Sequence, residues 1–171
     1  MTPELSLVIP AYNEAKNLPL LLERAAGPLG SAGIEMIIVD NGSGDSTQDV
    51  LRKLLPCHPF ARSVRVDVNQ GYGYGILTGL RAAHGKVLAW THADMQTDPA
   101  DAVRGMELFK ASAQPEHLFV KGRRYGRPAG DRFFTAGMSL FETVLLGHSM
   151  SDINAQPTMF ARSFFKTWKN P

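Results

Sequence analysis

The chain has 171 residues, of which 44% are hydrophobic and 20% are charged, and its formal net charge is +2 at pH 7. This length is enough for one domain with a hydrophobic core, and a net charge this small does not indicate nucleic-acid binding. The single cysteine, Cys57, excludes an internal disulfide framework and is typical of a reducing compartment.

The sequence shows neither a targeting signal nor a membrane-spanning pattern. Its apolar runs are all shorter than the roughly 20 residues that cross a bilayer. The N-terminus leads directly into a strand and lacks the basic region and the long apolar region of a signal peptide. We therefore expect a single cytoplasmic domain over residues 1–171.

Apolar strands alternate with amphipathic helices in the first part of the chain. Strands are predicted at residues 5–9 and 36–39, and the second is apolar on both faces, as central parallel strands are. Asn17 is the predicted cap of the first helix, and Ser46 or Asp45 that of the second.

A third strand, predicted at residues 64–68, alternates valine with charged residues, which indicates an edge or half-exposed position. A glycine-rich loop at 69–75 then opens a helix that runs to His84. Gly79 lies inside this helix, where glycine costs about 1 kcal/mol relative to alanine, so we expect a close packing contact there. The loop glycines are spaced by two, which does not match the dinucleotide-binding fingerprint.

The alternation continues with a predicted central strand at residues 87–90. Asp98 is the expected N-cap of the next helix, with Pro99 at the first helical position. The whole pattern predicts an α/β fold whose mostly parallel central sheet is flanked by helices on both faces. The remaining predicted elements are a strand at 118–120, a helix at 131–146, a loop at 152–160 that passes into a short strand, and a last helix capped by Ser163.

Polar side chains follow the central strand at every second position, as His92, Asp94 and Gln96. An extended segment places alternate residues on one side, and open α/β sheets bind ligands where their strands end. One carboxylate with few other protein ligands suits a hard divalent ion that takes its remaining ligands from phosphates and water. The alternative is a turn whose polar residues only cap and solvate.

Three polar loops, at residues 10–14, 40–45 and 92–98, each follow an apolar strand. In a parallel sheet these loops lie at the same carboxyl edge, so the sequence predicts one shared site. There Tyr12 would stack on a base and Asp40 would hydrogen-bond a base or ribose. The alternative for Tyr12 is a ring packed on the surface. The loops together would bring Glu14, Asp40, Asp94 and Gln96 to one rim.

A basic segment at residues 121–130 contains several arginines and glycines. Arginine binds phosphate through a fork of donors, so the segment fits a diphosphate or a phosphorylated acceptor. The alternative is a solvated charged loop. Its cations are Lys121, Arg123, Arg124 and Arg127, and Arg132 follows in the next turn.

Taken together, these motifs resemble the family 2 glycosyltransferases with the GT-A fold. The likeness covers about the first 100 residues, and it is closer to the branch of dolichyl- and polyprenyl-phosphate sugar synthases. That branch is indicated by residues 122–125, by Arg132 ahead of Thr135 and by Asp152 ahead of Phe160. The motifs that carry the family resemblance are residues 8–14, 38–47, 69–73 and 92–96.

The resemblance implies a role for each matching position. Mg²⁺ or Mn²⁺ would be the ion, and members of the family invert the anomeric centre by direct displacement. The implied roles are nucleoside binding by Pro10, Tyr12, Glu14, Ile38 and Asp40, sugar and diphosphate binding by Ala93 and Asp94, metal binding by Asp94 and Gln96, and phosphate binding by Arg124 and Arg132.

The sequence departs from the family pattern at three places. His92 stands at the first position of the Asp-x-Asp metal signature, where an imidazole would favour Mn²⁺ or would instead donate to the diphosphate. The Glu-Asp pair that supplies a base in many hydroxyl-acceptor members is absent, and Asp152 is the nearest candidate. Residues 165–168 lack the Gln-x-x-Arg-Trp of processive synthases, which indicates single transfer.

We therefore expect an inverting glycosyltransferase that moves one sugar from a GDP- or UDP-linked donor to a polyprenyl phosphate. It would contact the membrane peripherally, at its inner face, and its C-terminal end would be truncated relative to the family. The alternatives are transfer to a saccharide hydroxyl in cell-surface polysaccharide synthesis and a non-catalytic nucleotide-sugar-binding domain. A nucleotidyltransferase would carry a glycine-rich basic loop after the first strand, and residues 10–14 are not one.

Overall fold

The computed structural model describes residues 2–30, 33–123 and 155–168. Their strands form one sheet. Its central strands run parallel, and one strand near an edge runs antiparallel to both of its neighbours. The strands are β1 (Leu5–Ala11), β2 (Ile34–Asn41), β3 (Ala61–Val66), β4 (Val87–Trp90), β5 (Phe119–Lys121) and β6 (Thr158–Ala161), in the order β3-β2-β1-β4-β6-β5.

The helices of the described residues cover both faces of this sheet, as the sequence predicted. α1, α2 and α4 pack on the face that carries Leu7 and Ile38, whereas α3 and α5 pack on the face that carries Val8 and Val39. Alternate residues of each strand therefore enter two separate cores. The helices are α1 (Leu18–Gly30), α2 (Thr47–Leu54), α3 (Tyr72–Ala82), α4 (Ala100–Ala111) and α5 (Arg162–Phe165).

The starts of α2 and α4 follow local capping chemistry. Asp45, rather than Ser46, caps α2, because its Oδ1 accepts the Thr47 N–H at 2.9 Å while Ser46 makes no capping bond. Asp98 caps α4 as predicted and accepts the Ala100 N–H at 2.9 Å.

The predicted close contact of Gly79 is confirmed. A Cβ at this position would overlap the side chains of Val8 and Val39, so α3 lies directly on β1 and β2. This contact brings the first turn of α3 to the carboxyl edge of the sheet.

Two predicted boundaries are wrong. β3 runs from Ala61 to Val66 rather than from 64 to 68, because its ends are set by pairing with β2. Ser163 does not cap the last helix, since α5 already begins at Arg162, whose guanidinium donates to the carbonyls of Ala83 and Gly85. The edge position of β3 is confirmed.

The predicted helix at 131–146 and most of the basic segment lie outside the described residues, as do the proposed site residues Arg124, Arg132 and Asp152. In the part of the chain that the structure covers, no helix combines the length and the apolar character needed to span a membrane.

Candidate active site

The first two loops are locked together by Asn13. Its Oδ1 accepts the N–H groups of Gly44 at 2.9 Å and Asp45 at 3.3 Å, and its own N–H donates to Ser43 Oγ at 3.0 Å. Asn13 has a φ of +58°, a left-handed conformation that asparagine tolerates better than most residues. The loops after β1 and β2 therefore form one unit.

This unit presents Tyr12 and holds Glu14. Tyr12 is exposed, at 49% of its surface. Glu14 is more constrained, because its N–H donates to Thr47 Oγ1 at 3.0 Å and its Oε2 accepts from Asn17 Nδ2 at 2.6 Å. Pro10 is buried beneath them at the end of β1.

Asp40 is enclosed rather than open at the rim. It is only 2% exposed, its Oδ1 accepts the Ser43 N–H at 3.1 Å, and its Oδ2 forms an ion pair with Arg65. Ile38, two residues earlier, is fully buried in the core. Sequence reasoning missed Arg65, because its place opposite Asp40 depends on the register of β3 against β2, which the local sequence does not show.

Hydrogen bonds to the Asp45 carboxylate favour its charged form. Burial alone would raise the pKa of Asp45, but bonds from the Thr47 side chain and N–H outweigh it and lower the pKa.

Asn41 fixes the glycine-rich loop to the end of β2. Its Nδ2 donates to Asn69 Oδ1 at 3.2 Å and to the Gly71 carbonyl at 2.9 Å. Gly42 has a φ of +73°, and a Cβ there would overlap the backbone of Val68 and Asn69. The loop that opens α3 therefore packs against the second polar loop.

The third loop turns sharply after β4. The Asp94 Oδ1 accepts the Gln96 N–H at 3.0 Å, and Met95 between them has a φ of +64°. Asp94 and Gln96 are both exposed, whereas Ala93 is buried against the core. The tight turn thus pushes one carboxylate outward at the rim.

His92 meets α3 through a ring contact with Tyr72. The two rings stack with their centroids 4.9 Å apart and their planes at 10°. Partial burial, with the charge of Asp94 nearby, raises the pKa of Tyr72 to about 12. The stack was not expected from the sequence, and it brings His92, Tyr72 and Asp94 together.

The exposed Asp94 carboxylate is the predicted ligand of a divalent ion. In residues 2–30, 33–123 and 155–168, no group of three or more His, Cys, Asp and Glu side chains could hold a metal alone. An ion at Asp94 would therefore take most of its ligands from phosphate oxygens and water. Metal binding by His92, Asp94 and Gln96 stays a prediction.

The basic segment begins at the same edge. Lys121 at the end of β5 pairs with Thr158, which pairs in turn with Trp90 at the end of β4. Gly122 follows in close contact with the backbone of Gln156, where a Cβ would overlap. The roles predicted for Arg124, Arg132 and Asp152 fall outside the described residues and stay predictions.

Comparison with known proteins gives a consistent result. The model of glycosyl transferase family 2 matches residues 6–168. The undecaprenyl-phosphate 4-deoxy-4-formamido-L-arabinose transferase of Photorhabdus laumondii is 34% identical over 167 residues, which cover 93% of this chain and 49% of that protein. The protein of the same name from Yersinia enterocolitica is 34% identical over 105 residues, 59% of this chain and 32% of that one. The chain thus spans half or less of the length of these relatives.

Solved structures show the same fold. The mannosyltransferase PcManGT from Pyrobaculum calidifontis, in complex with GDP-Man and Mn²⁺, matches with a TM-score of 0.68 and 22% identity over 97% of this chain and 46% of that one. Glucosyl-3-phosphoglycerate synthase from Mycobacterium tuberculosis, with Mn²⁺, UDP and phosphoglyceric acid, matches with a TM-score of 0.72 and 18% identity over 94% and 56%. The predicted GT-A class of α/β fold is confirmed.

Proposed function

Because the chain belongs to glycosyl transferase family 2, we propose that it transfers one sugar from a nucleoside diphosphate sugar to a polyprenyl phosphate, with inversion. The observation that carries this proposal is the shared rim, where the loops after β1 and β2 are joined and Asp94 is exposed after β4. The named acceptor of the Photorhabdus relative, which aligns with 93% of this chain, supports the class of acceptor.

The donor would lie across the three polar loops, with its base between the first loop and the second. Tyr12 offers an exposed ring on which a base can stack, and Pro10 and Ile38 support the strand ends beneath it. Asp40 acts at the nucleoside end by holding Arg65 in place, and Ala93 shapes the site of the sugar and diphosphate. Glu14 holds the first loop in place through Asn17 and Thr47.

Asp94 would hold a divalent ion together with the donor diphosphate. When bound, Mn²⁺ or Mg²⁺ would supply positive charge to the diphosphate of the donor. His92 favours Mn²⁺ if its imidazole binds, because nitrogen ligands suit Mn²⁺ better than Mg²⁺. The Pyrobaculum mannosyltransferase was solved with a donor and an ion of these same classes.

The acceptor would approach from the side of the basic segment. Its phosphate oxygen attacks the anomeric carbon, the bond from that carbon to the diphosphate oxygen breaks, and the nucleoside diphosphate leaves. An anionic phosphate needs no general base, which agrees with the missing Glu-Asp pair. Arg124 and Arg132 would bind the acceptor phosphate, at the inner face of the membrane.

A transfer assay tests the proposal. The full chain is incubated with UDP-, GDP- and dTDP-sugars, with undecaprenyl phosphate or a soluble saccharide as acceptor, and with Mn²⁺, Mg²⁺ or EDTA. We expect metal-dependent transfer to the lipid phosphate. Transfer to a neutral saccharide that depends on Asp152 would instead support a hydroxyl acceptor with Asp152 as general base. Donor binding without any transfer would support a non-catalytic domain.

A further inference from the structure

The enclosed Asp40 carboxylate holds Arg65 in a fixed position at the rim. Arg65 Nη1 forms the ion pair with Asp40, and Nη2 donates to the Ser43 carbonyl at 3.3 Å. The pair is asymmetric, since the side chain of Arg65 is 34% exposed and that of Asp40 is 2% exposed. The part of the pair that a ligand can reach is therefore the guanidinium.

A guanidinium has five N–H donors and no acceptor. In the described part of the chain, Asp40 and Ser43 engage two of these donors. The remaining donors sit on a planar group whose orientation is already set, so little conformational entropy is lost when they bind. The rim beside the second loop thus presents a rigid group that can only donate.

Asp40 and Arg65 also form one wall of a cavity between α2 and β3. Its volume is about 220 Å³, and Leu51, Leu55 and Val64 supply apolar walls. This is below the roughly 300–1,000 Å³ of pockets for drug-sized ligands. The cavity therefore has room for one ring system, such as a base, and not for a whole nucleoside diphosphate sugar.

We propose that Arg65, oriented by Asp40, is a specificity-determining residue that reads a carbonyl oxygen on the base of the donor. This inference rests on the proposed function. Guanine presents O6 beside N7, and uracil and thymine present O4, all of which accept hydrogen bonds. Adenine and cytosine present an amino group at the same position, and a group that only donates cannot pair with it. Arg65 therefore favours a donor linked to guanine, uracil or thymine over one linked to adenine or cytosine.

The test compares the affinities of GDP, UDP, ADP and CDP for the full chain by calorimetry with Mn²⁺ present. Wild type should bind GDP or UDP better than ADP and CDP. Arg65→Gln should weaken the binding of the preferred nucleotide on the order of tenfold to a hundredfold, which is the usual effect of losing one contact to a base. Arg65→Gln should also reduce the difference in affinity between the preferred nucleotide and ADP, because an amide side chain both donates and accepts hydrogen bonds. Arg104→Gln, at an exposed arginine of α4 that pairs with Asp101 and does not line the cavity, is the matched control.

A second variant distinguishes a loss of base recognition from a loss of folding. Arg65→Gln leaves the buried Asp40 without its cation, whereas the double variant Asp40→Asn with Arg65→Gln leaves no buried unpaired charge. Its melting temperature shows whether it is folded, and it should show the same narrowed preference. An equal loss of affinity for all four nucleotides, or unchanged selectivity in a folded double variant, would overturn the inference. If wild type binds none of the four, the proposed function itself fails.

Discussion

The ring of Tyr72 lies parallel to the imidazole of His92, with 4.9 Å between the centroids and 10° between the planes. Tyr72 begins α3 and His92 follows β4, so the stack joins the glycine-rich loop to the third polar loop. His92 stands where the family signature has a carboxylate. The orientation of the imidazole ring therefore decides which of its atoms lies in the place of that carboxylate at the rim. We infer that Tyr72 is a positioning residue for His92.

Replacing Tyr72 tests the stack. Tyr72→Leu removes the ring contact, and we expect the donor KM to rise about twofold to tenfold, which corresponds to the roughly 0.5–1.5 kcal/mol of an aromatic pair. Tyr72→Phe keeps the ring and should leave the donor KM close to wild type. Steady-state kinetics with the donor as the varied substrate measure both. A change in kcat alone, or equal effects of the two variants, would contradict a positioning role through stacking.

Asp94 should be required for metal-dependent donor binding. Its exposed carboxylate is the one acidic group of the turn that holds His92 and Gln96, so Asp94→Ala should abolish the Mn²⁺-dependent part of nucleoside diphosphate binding. Calorimetry with and without Mn²⁺ measures this. Asp98→Ala is the control, because it removes the cap of α4 and should lower stability by about 1 kcal/mol while leaving Mn²⁺-dependent binding intact. Unchanged Mn²⁺-supported affinity in Asp94→Ala would reject the assignment.

Arg132 should act on the acceptor more than on the donor. If its guanidinium binds the acceptor phosphate, Arg132→Ala should raise the KM for undecaprenyl phosphate more than the KM for the nucleotide sugar. Transfer should also weaken with added salt, because exposed charges are screened beyond about 8 Å at physiological ionic strength. The two KM values, measured at two salt concentrations, show whether Arg132 acts on the acceptor or on the donor. An effect on the donor KM alone would assign Arg132 to the donor diphosphate.

Two glycines of α3 should respond in opposite directions to the same substitution. Gly79→Ala places a methyl group against Val8 and Val39, and such overpacking costs about 1–3 kcal/mol. A methyl group at Gly73 would meet no atom of another element within 4 Å, so Gly73→Ala should stabilise the helix by about 0.5–1 kcal/mol. Urea unfolding of both variants provides the comparison. Equal stability of Gly79→Ala and wild type would show that α3 can move away from the sheet.

Glu35 should contribute stability that is lost in acid. Its Oε1 accepts from Ser6 Oγ and from the His84 N–H, both at 2.5 Å, and its Oε2 accepts from Arg62 Nε at 3.2 Å. Burial alone would raise the pKa of Glu35, but these bonds outweigh it, so the pKa lies below the ordinary value of 4.5. A carboxylate with a lowered native pKa stabilises the fold above the unfolded value and loses this contribution as the pH falls through the native value.

The measurement is the free energy of unfolding of wild type and Glu35→Gln, from neutral pH down to below the native pKa. Wild type should be more stable at neutral pH, and the difference should shrink as the pH falls below 4.5. A difference that does not change with pH would show that the charge of Glu35 does not contribute. Asp49→Asn, which removes an exposed i,i+3 ion pair, is a control with little expected effect.

Local patterns were sufficient for most of the elements. The amphipathic pattern after Asn17 predicted the helix α1, because helical periodicity depends only on neighbouring residues. The cap of α4 by Asp98 followed from the same local chemistry. Element ends that depend on distant partners were predicted less well. β3 ends where its pairing with β2 ends, and α5 begins where Arg162 bonds to the carbonyls before β4.

The sequence by itself determined that three polar loops share one edge, because strands joined through helices run parallel and end together. It also determined the family, through motifs in a fixed order. Only the tertiary structure decided which side chains at that edge are open to a ligand. Asp40 is enclosed by Arg65 and His92 is stacked on Tyr72, while Asp94 remains exposed. These pairings depend on strand register and on how closely α3 approaches the sheet, and neither is a property of the local sequence.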